Sequence, residues 1–350
     1  MLALVLIQVG LAKDCSSFKC KSSDMLFVEN TCVFYEPTQQ IHWVSSCQSY
    51  QECLFLGTKT NSSCELVRLN KDLSWPGEPC YKNSDCLHLN CKDHKCQGRQ
   101  KGNSCYSDSE CNPGLYCQES SGLCQRQIPT GEKGCSRNEA CANSAYCNFT
   151  GSPSNSFCVQ AMSVFPGHRV AQCNANFSGM CQNLLCKEDT EGGVCAGKVW
   201  SSKSLPVVCN RDEDCVSVAD AFLNSKFQGT CECGYNAEAL AYCELFPGDE
   251  PYIKFLDSYK KWFSSHEIKL CNSARARGIT KCMESYYNSY LELAYSYYSA
   301  YLYPQLQNND LCMKKVVTSA YYKVWKELQK PQDQDFSTRL CLSLLILASI

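Results

Sequence analysis

Apolar positions follow two different patterns along the chain. Near the N-terminus, residues 25–35 and 41–44 are rich in Phe, Val, Tyr, Ile and Trp, with the break Pro37-Thr38-Gln39-Gln40 between them. Such side chains fit a pleated surface and Pro interrupts one, so this pattern predicts a strand pair joined by a loop. After Cys243 the period changes. Tyr252, Phe255, Leu256, Tyr259, Trp262 and Phe263 recur at helical spacing, and Pro251 suits a first helical position because the amide it lacks would have no partner there. A second helix is predicted over 281–303, stopping at Pro304. A third is predicted over 310–330, stopping at Pro331, with Val316, Val317, Ala320, Val324 and Leu328 inward. Three such segments with short loops predict a small antiparallel bundle.

Both ends of the chain are apolar. Residues 2–12 (LALVLIQVGLA) have the length of a signal-peptide core and are too short to span a bilayer. Gly10 and Ala12 supply small residues for cleavage before Lys13, although no Lys or Arg precedes the run. The competing reading is a buried strand or helix. Residues 340–350 (LCLSLLILASI) follow a polar stretch, the layout of a GPI-attachment signal. Asp333, Asp335 and Ser337 are the small attachment candidates, and a short buried terminal segment is the alternative.

Composition sharpens the picture through one residue type. The chain holds 31 Cys in 350 residues, the density of a disulfide scaffold. A reducing cytosol rarely tolerates so many thiols unless they bind metal. Zinc and thioredoxin-type sites rely on C-x-x-C, which is absent; the closest pair is Cys231-Glu232-Cys233. Removing Cys341 with the tail would leave 31 − 1 = 30 thiols, an even number that can all pair.

The cysteines repeat. Cys80-x5-Cys86-x4-Cys91-x4-Cys96, Cys105-x5-Cys111-x5-Cys117-x6-Cys124 and Cys135-x5-Cys141-x5-Cys147-x10-Cys158 form three units of four, after a connector at 75–79. Cys209 and Cys215 open a degenerate fourth. Units this small bury too little apolar surface to fold unaided, so covalent staples decide their stability. Between the first two cysteines stand Asn83, Asp85, Asp108, Glu110, Asn138, Glu139, Asp212, Glu213 and Asp214. Calcium ligation is one reading of them; tight turns made by side chain to backbone bonds are preferred, since no alternating ligand ladder is present.

The segment Cys111-Asn112-Pro113-Gly114-Leu115-Tyr116-Cys117, closed by Gly122-Leu123-Cys124, resembles the Dickkopf N-terminal cysteine-rich domain. Tyr146-Cys147 echoes it more faintly in the next unit, the first unit has Leu89-Asn90-Cys91 instead, and the match covers residues 80–158. Asn112 stands where that family has an adjacent Cys-Cys pair. The resemblance implies an extracellular binding or spacer module.

Cysteine parity gives one further expectation. Residues 13–70 hold six Cys and the three units hold twelve, while 165–243 hold nine and the later helical part holds Cys271, Cys282 and Cys312. If the earlier blocks pair internally, a bridge should join the last two.

Candidate chemistry is sparse. Net charge is −2 without charged blocks, which gives no electrostatic reason for nucleic acid or an anionic membrane as partner. His42, His88, His94, His168 and His266 are scattered; His88 and His94 flank Cys91, whose neighbours fit the disulfide repeat better than a metal site. No catalytic or phosphate-binding motif is found, so no catalytic, cofactor or metal residue is assigned. Sequons place candidate glycans on Asn61, Asn148 and Asn176. Eight tyrosines between 286 and 303 exceed one core stripe. They form either a core with a tolerant surface or a partner-binding face at Tyr286, Tyr290, Tyr297 and Tyr301.

The expected organisation is a signal peptide (1–12), an N-terminal cysteine-rich β module (13–76), Dickkopf-like repeats (77–160), a second cysteine-rich region (161–246), a helical domain (247–331) and a hydrophobic tail (332–350). The fold class is therefore small disulfide-rich repeats, made of short β-hairpins and loops, followed by a C-terminal α-helical bundle. Functionally, an extracellular or cell-surface protein that binds an unknown extracellular protein or surface component is expected, attached to membrane only through a lipid anchor. The alternatives are a secreted inhibitor or receptor ligand, and a secreted enzyme with an unrecognised site.

Overall fold

A computed structural model describes residues 13–21, 31–48, 51–54, 63–66, 73–173, 178–278 and 281–307. The N-terminal module is a three-stranded sheet of β1 (Ser17–Cys20), β2 (Thr31–Glu36) and β3 (Ile41–Ser46), with β3 central, antiparallel to β2 and parallel to β1. The predicted break at 37–40 is the β2–β3 turn. A hairpin, β4 (Gln51–Leu54) and β5 (Ser63–Leu66), follows, and Cys47 is bridged to Cys64. Val33, Val44 and Phe18 fill the small interior, with His42 stacked on Phe18 at a ring separation of 4.5 Å.

Five cysteine units follow, not three and a fragment. In each, the first Cys bonds to the third and the second to the fourth: Cys80–Cys91 with Cys86–Cys96, Cys105–Cys117 with Cys111–Cys124, Cys135–Cys147 with Cys141–Cys158, Cys173–Cys186 with Cys181–Cys195, and Cys209–Cys231 with Cys215–Cys243. The third and fourth Cys face each other across a hairpin. The hairpins are β6–β7 (Cys91–Lys92, Lys95–Cys96), β8–β9 (Leu115–Gln118, Leu123–Arg126) and β10–β11 (Ala145–Asn148, Phe157–Gln160). In the last two units a short third strand is added: β12 (Arg169–Val170) beside β13–β14 (Cys186–Asp189, Gly192–Cys195), and β15 (Val208–Cys209) beside β16–β17 (Cys231–Cys233, Ala241–Cys243). The fourth unit eluded the spacing pattern because seven residues, not five, separate Cys173 from Cys181. Each bridge spans between 10 and 28 positions, a loop whose closure contributes about 3 kcal/mol.

Two local devices recur and explain why the units look alike. The residue three after the first Cys is Asn83, Asp108, Asn138 or Asp212, and its Oδ1 accepts the backbone N–H of the third Cys at 2.9, 2.7, 3.0 and 2.7 Å. These polar stretches thus serve as turns, each on a single 3-10 turn. The second device is a glycine ahead of the unit. Gly77, Gly102, Gly131 and Gly167 each donate their N–H to the carbonyl of the fourth Cys, at 2.7–2.9 Å. At Gly77, φ is +92°, and a Cβ there would collide with the Leu270 carbonyl and the Pro113 ring, so no other residue fits. The stretch 75–79 is therefore the entry of the first unit rather than a free connector.

The parity expectation fails at its premise. Cys15 of the N-terminal block bonds to Cys233, 218 positions away, and Cys271 bonds to Cys282. The spare thiol of the fifth unit thus ties down the N-terminal module, helped by Lys13 N–H on the Asn210 carbonyl and Phe18 N–H on that of Asn236. Cys312 and the tail containing Cys341 lie outside the described residues.

Helices occupy the C-terminal part: α1 (Glu250–Ser264), α2 (Lys281–Tyr286) and α3 (Tyr290–Tyr301). The apolar stripe predicted for α1 is buried at Phe255, Leu256, Tyr259, Trp262 and Phe263, with Tyr252 partly so. The continuous helix expected over 281–303 is broken between Tyr286 and Tyr290, where Asn288 and Ser289 turn the chain so that α3 can lie along α1. The predicted third helix (310–330) lies outside the described residues. Among those described, no helix is long and apolar enough to cross a membrane.

The repeats and helices share one interface, built around the loop closed by Cys271–Cys282. Asn272 Nδ2 donates to the carbonyls of Asp108 and Cys111, at 2.8 and 2.9 Å, in the second unit. Asn143 of the third unit donates back to those of Ile268 and Cys271, at 2.7 and 2.8 Å. Arg277 gives its guanidinium to the carbonyls of Cys141, Ala142 and Ala145 at 2.9–3.0 Å, and burial pulls its pKa below the usual arginine value. Arg275 pairs with buried Glu78 at 3.0 Å and lies 4.0 Å over the Trp75 ring in the first unit. Backbone carbonyls turned inward need donors; this one loop supplies them to the second and third units and pairs its Arg275 with a carboxylate of the first.

Candidate interaction sites

The four helical tyrosines singled out from sequence have different surroundings. Tyr286 donates its hydroxyl to the Gly77 carbonyl and carries Lys95 Nζ 5.2 Å above its ring. Tyr290 packs partly buried against the α1 core, and desolvation pushes its hydroxyl up to about 12. Tyr297 stacks between Phe255 and Tyr301, at ring separations of 5.6 and 4.6 Å. Tyr301 alone among the four is exposed, at 42 %. Three of the four thus pack inward in part. Asn148 sits on β10, where its Oδ1 accepts the Ala171 N–H at 2.6 Å; that bond leaves the amide nitrogen, the atom a glycan would occupy, unused. Asn61, Asn176, Asp335 and Ser337 lie outside the described residues.

The cysteine repeats carry two further exposed tyrosines. Tyr81 and Tyr106 each follow the first Cys of a unit, and they are 93 % and 94 % exposed. Each leads into a 3-10 turn, Asn83–Asp85 in the first unit and Asp108–Glu110 in the second. In the first unit Asp85 Oδ2 accepts the N–H of Tyr81 at 3.0 Å and of Lys82 at 3.1 Å. The disulfide on the preceding residue removes most backbone freedom. A rigid backbone carrying a fully solvated phenol ring is a geometry that offers contact area at little ordering cost. The signal that could have found them is the repeated Cys-Tyr dipeptide.

A third feature is a cleft of about 320 Å³ where α1 and α3 meet the fourth and fifth units. Tyr252, Tyr301, Phe227 and Phe246 supply its aromatic lining, and Glu244 supplies a carboxylate. The rings of Tyr252 and Tyr301 lie 6.0 Å apart; burial is the main cause that raises both phenols above the usual value, with neighbouring tyrosines and, after them, Glu244 adding charge effects. Three cysteine sulfurs lie within 4.8 Å of one another in four of the units, such as Cys105, Cys111 and Cys124. Every one of these sulfurs is held in a disulfide, so none offers the thiolate that zinc requires.

No family model matches the chain, and no curated protein or solved structure is significantly similar to it. Small repeats so heavily cross-linked are characteristic of extracellular proteins.

Proposed function

We propose that the protein acts outside the cell, in solution or on the outer face of the plasma membrane, by binding another protein or as part of a surface coat. Residues 2–12 serve as its export signal in this reading, 340–350 as a lipid-attachment signal, and Asn148 as a glycan acceptor. The resemblance of residues 80–158 to Dickkopf-type modules supports an extracellular binding or spacer role, and no catalytic step is part of it.

The observation that carries the reading is the pair Tyr81 and Tyr106, almost wholly solvated at the same position of two consecutive stapled units. Among the described residues nothing packs over these rings, whereas aromatic side chains dominate binding energy when a partner covers them. The test is binding of the full-length, disulfide-intact protein to intact cells and extracellular matrix of its source, beside a Tyr81→Ser/Tyr106→Ser variant. Loss of at least about tenfold in affinity is expected, on the scale of one aromatic anchor. Equal binding by both proteins contradicts it.

A further inference from the structure

We infer that the cleft between the helices and the fifth unit is a binding site for a primary ammonium group on an unbranched apolar stem, presented as a lysine side chain by a partner protein. It stands apart from Tyr81 and Tyr106, in different elements, and does not depend on them.

The lining makes the selection. A cation is attracted to the faces of aromatic rings, and a carboxylate beside those rings adds direct charge complementarity. Tyr252 and Tyr301 are in ring contact, 6.0 Å apart between centroids. Phe255, buried at 2 % exposure, braces both rings at 5.7 and 5.4 Å. Phe227 and Phe246, each more than nine-tenths buried, are fixed parts of the lining.

Glu244 decides the sign of the ligand. No Lys, Arg or His lines the cleft, and among the described residues no cation lies within ion-pair distance of Glu244. The carboxylate is on an exposed residue, yet close enough to Tyr252 and Tyr301 to raise both phenols. An anion would meet repulsion from Glu244, and a neutral apolar side chain would gain nothing from its charge. A lysine satisfies both halves: its methylene stem covers apolar lining while its ammonium reaches the carboxylate. The volume accommodates one such side chain but no folded element. Protein is the favoured source because a lysine side chain anchored at its Cα has less freedom to lose on binding than a free amine.

The test titrates the full disulfide-intact chain with Nα-acetyl-lysine methylamide, its norleucine counterpart, and n-butylammonium, followed by saturation-transfer NMR. Saturable binding of the lysine derivative is expected, about tenfold tighter than that of norleucine. In Glu244→Gln the lysine derivative should weaken by about tenfold while norleucine is unchanged. Glu244 is exposed, so this variant tests charge without disturbing the core. Tyr81→Ser/Tyr106→Ser should leave every one of these values unchanged, which separates failure of this site from failure of the repeat tyrosines as binding residues. Equal binding of lysine and norleucine derivatives, indifference to Glu244→Gln, or no saturable binding at millimolar concentration overturns the inference. Tighter binding of n-butylammonium than of the lysine derivative overturns the protein source.

Discussion

Asn272 donates its side-chain amide to the carbonyl oxygen of Cys111 at 2.9 Å, across 161 positions of chain. The next residue back, Cys271, receives an equivalent bond from Asn143. Two asparagines thus face in opposite directions through one loop, and the second and third units are fixed to the helices by that exchange. Both side chains are buried, so neither bond can be replaced by water without rearrangement.

Asn272→Ala should therefore destabilise the protein by about 1–3 kcal/mol, the cost of leaving buried carbonyls without a donor. Urea unfolding with all disulfides intact measures it. Asn143→Ala should cost a similar amount, and the double variant should lose less than the sum, because both bonds support the same loop.

The turn residue three places after the first Cys should tolerate loss of charge but not loss of its acceptor oxygen. Asp212→Asn keeps Oδ1 for the Cys231 N–H and should leave stability nearly unchanged. Asp212→Ala should cost about 1 kcal/mol and speed amide exchange at Cys231. Asn83 and Asn138 already hold this position without charge. A large loss of stability in the Asn variant would point to an ion at the turn instead.

Cys15→Ser should expose exactly the partner sulfur of Cys233. Thiol labelling of the native variant should rise by one group per chain. Limited proteolysis should release residues 13–66 faster, since the 218-position bridge is the covalent link between that module and the fifth unit. An unchanged thiol count would contradict that pairing.

Alkaline pH should unfold the protein through its tyrosines. Tyr235 and Tyr290 ionise at about 12 in the fold, first because of burial, then because Glu232 and Glu284 respectively add negative charge. An unfolded phenol ionises near 10. Their raised values contribute stability that is complete below about pH 10 and is lost as pH climbs through about 12, where the unfolded chain binds fewer protons. Absorbance titration of phenolate against far-ultraviolet dichroism should show a late-titrating set of phenols that includes these two along with the more deeply buried Tyr252 and Tyr259, with stability falling over that interval. Stability flat from pH 10 to 12 would contradict it.

Much of this fold is legible where local chemistry dictates it. The 252–263 stripe forms the buried face of α1 because its spacing matches a helix turn, and 37–40 turns because Pro37 cannot continue a strand. Disulfide pairing resists such reading, since four cysteines in a row carry no mark of which two converge; hairpin register places Cys117 opposite Cys124, yet each bonds elsewhere. The fourth unit was hidden by a longer first loop, although Pro166-Gly167 marks its entry as Gly77 marks the first. Parity could not place Cys233, because it counts blocks and knows nothing of which blocks touch. The cleft could not be seen at all: Leu184, Phe227, Glu244, Tyr252 and Tyr301 are brought together only by packing of units against helices.

The central claim is that five alternately cross-linked units form the scaffold on which every other element rests. Digestion of the unreduced protein followed by mass spectrometry of the linked peptides tests it most directly. The predicted products join Cys105 to Cys117 and Cys111 to Cys124, with the same alternation in the other four units and a separate Cys15–Cys233 link. Sequential pairs such as Cys105–Cys111, or free thiols throughout these units, would contradict it.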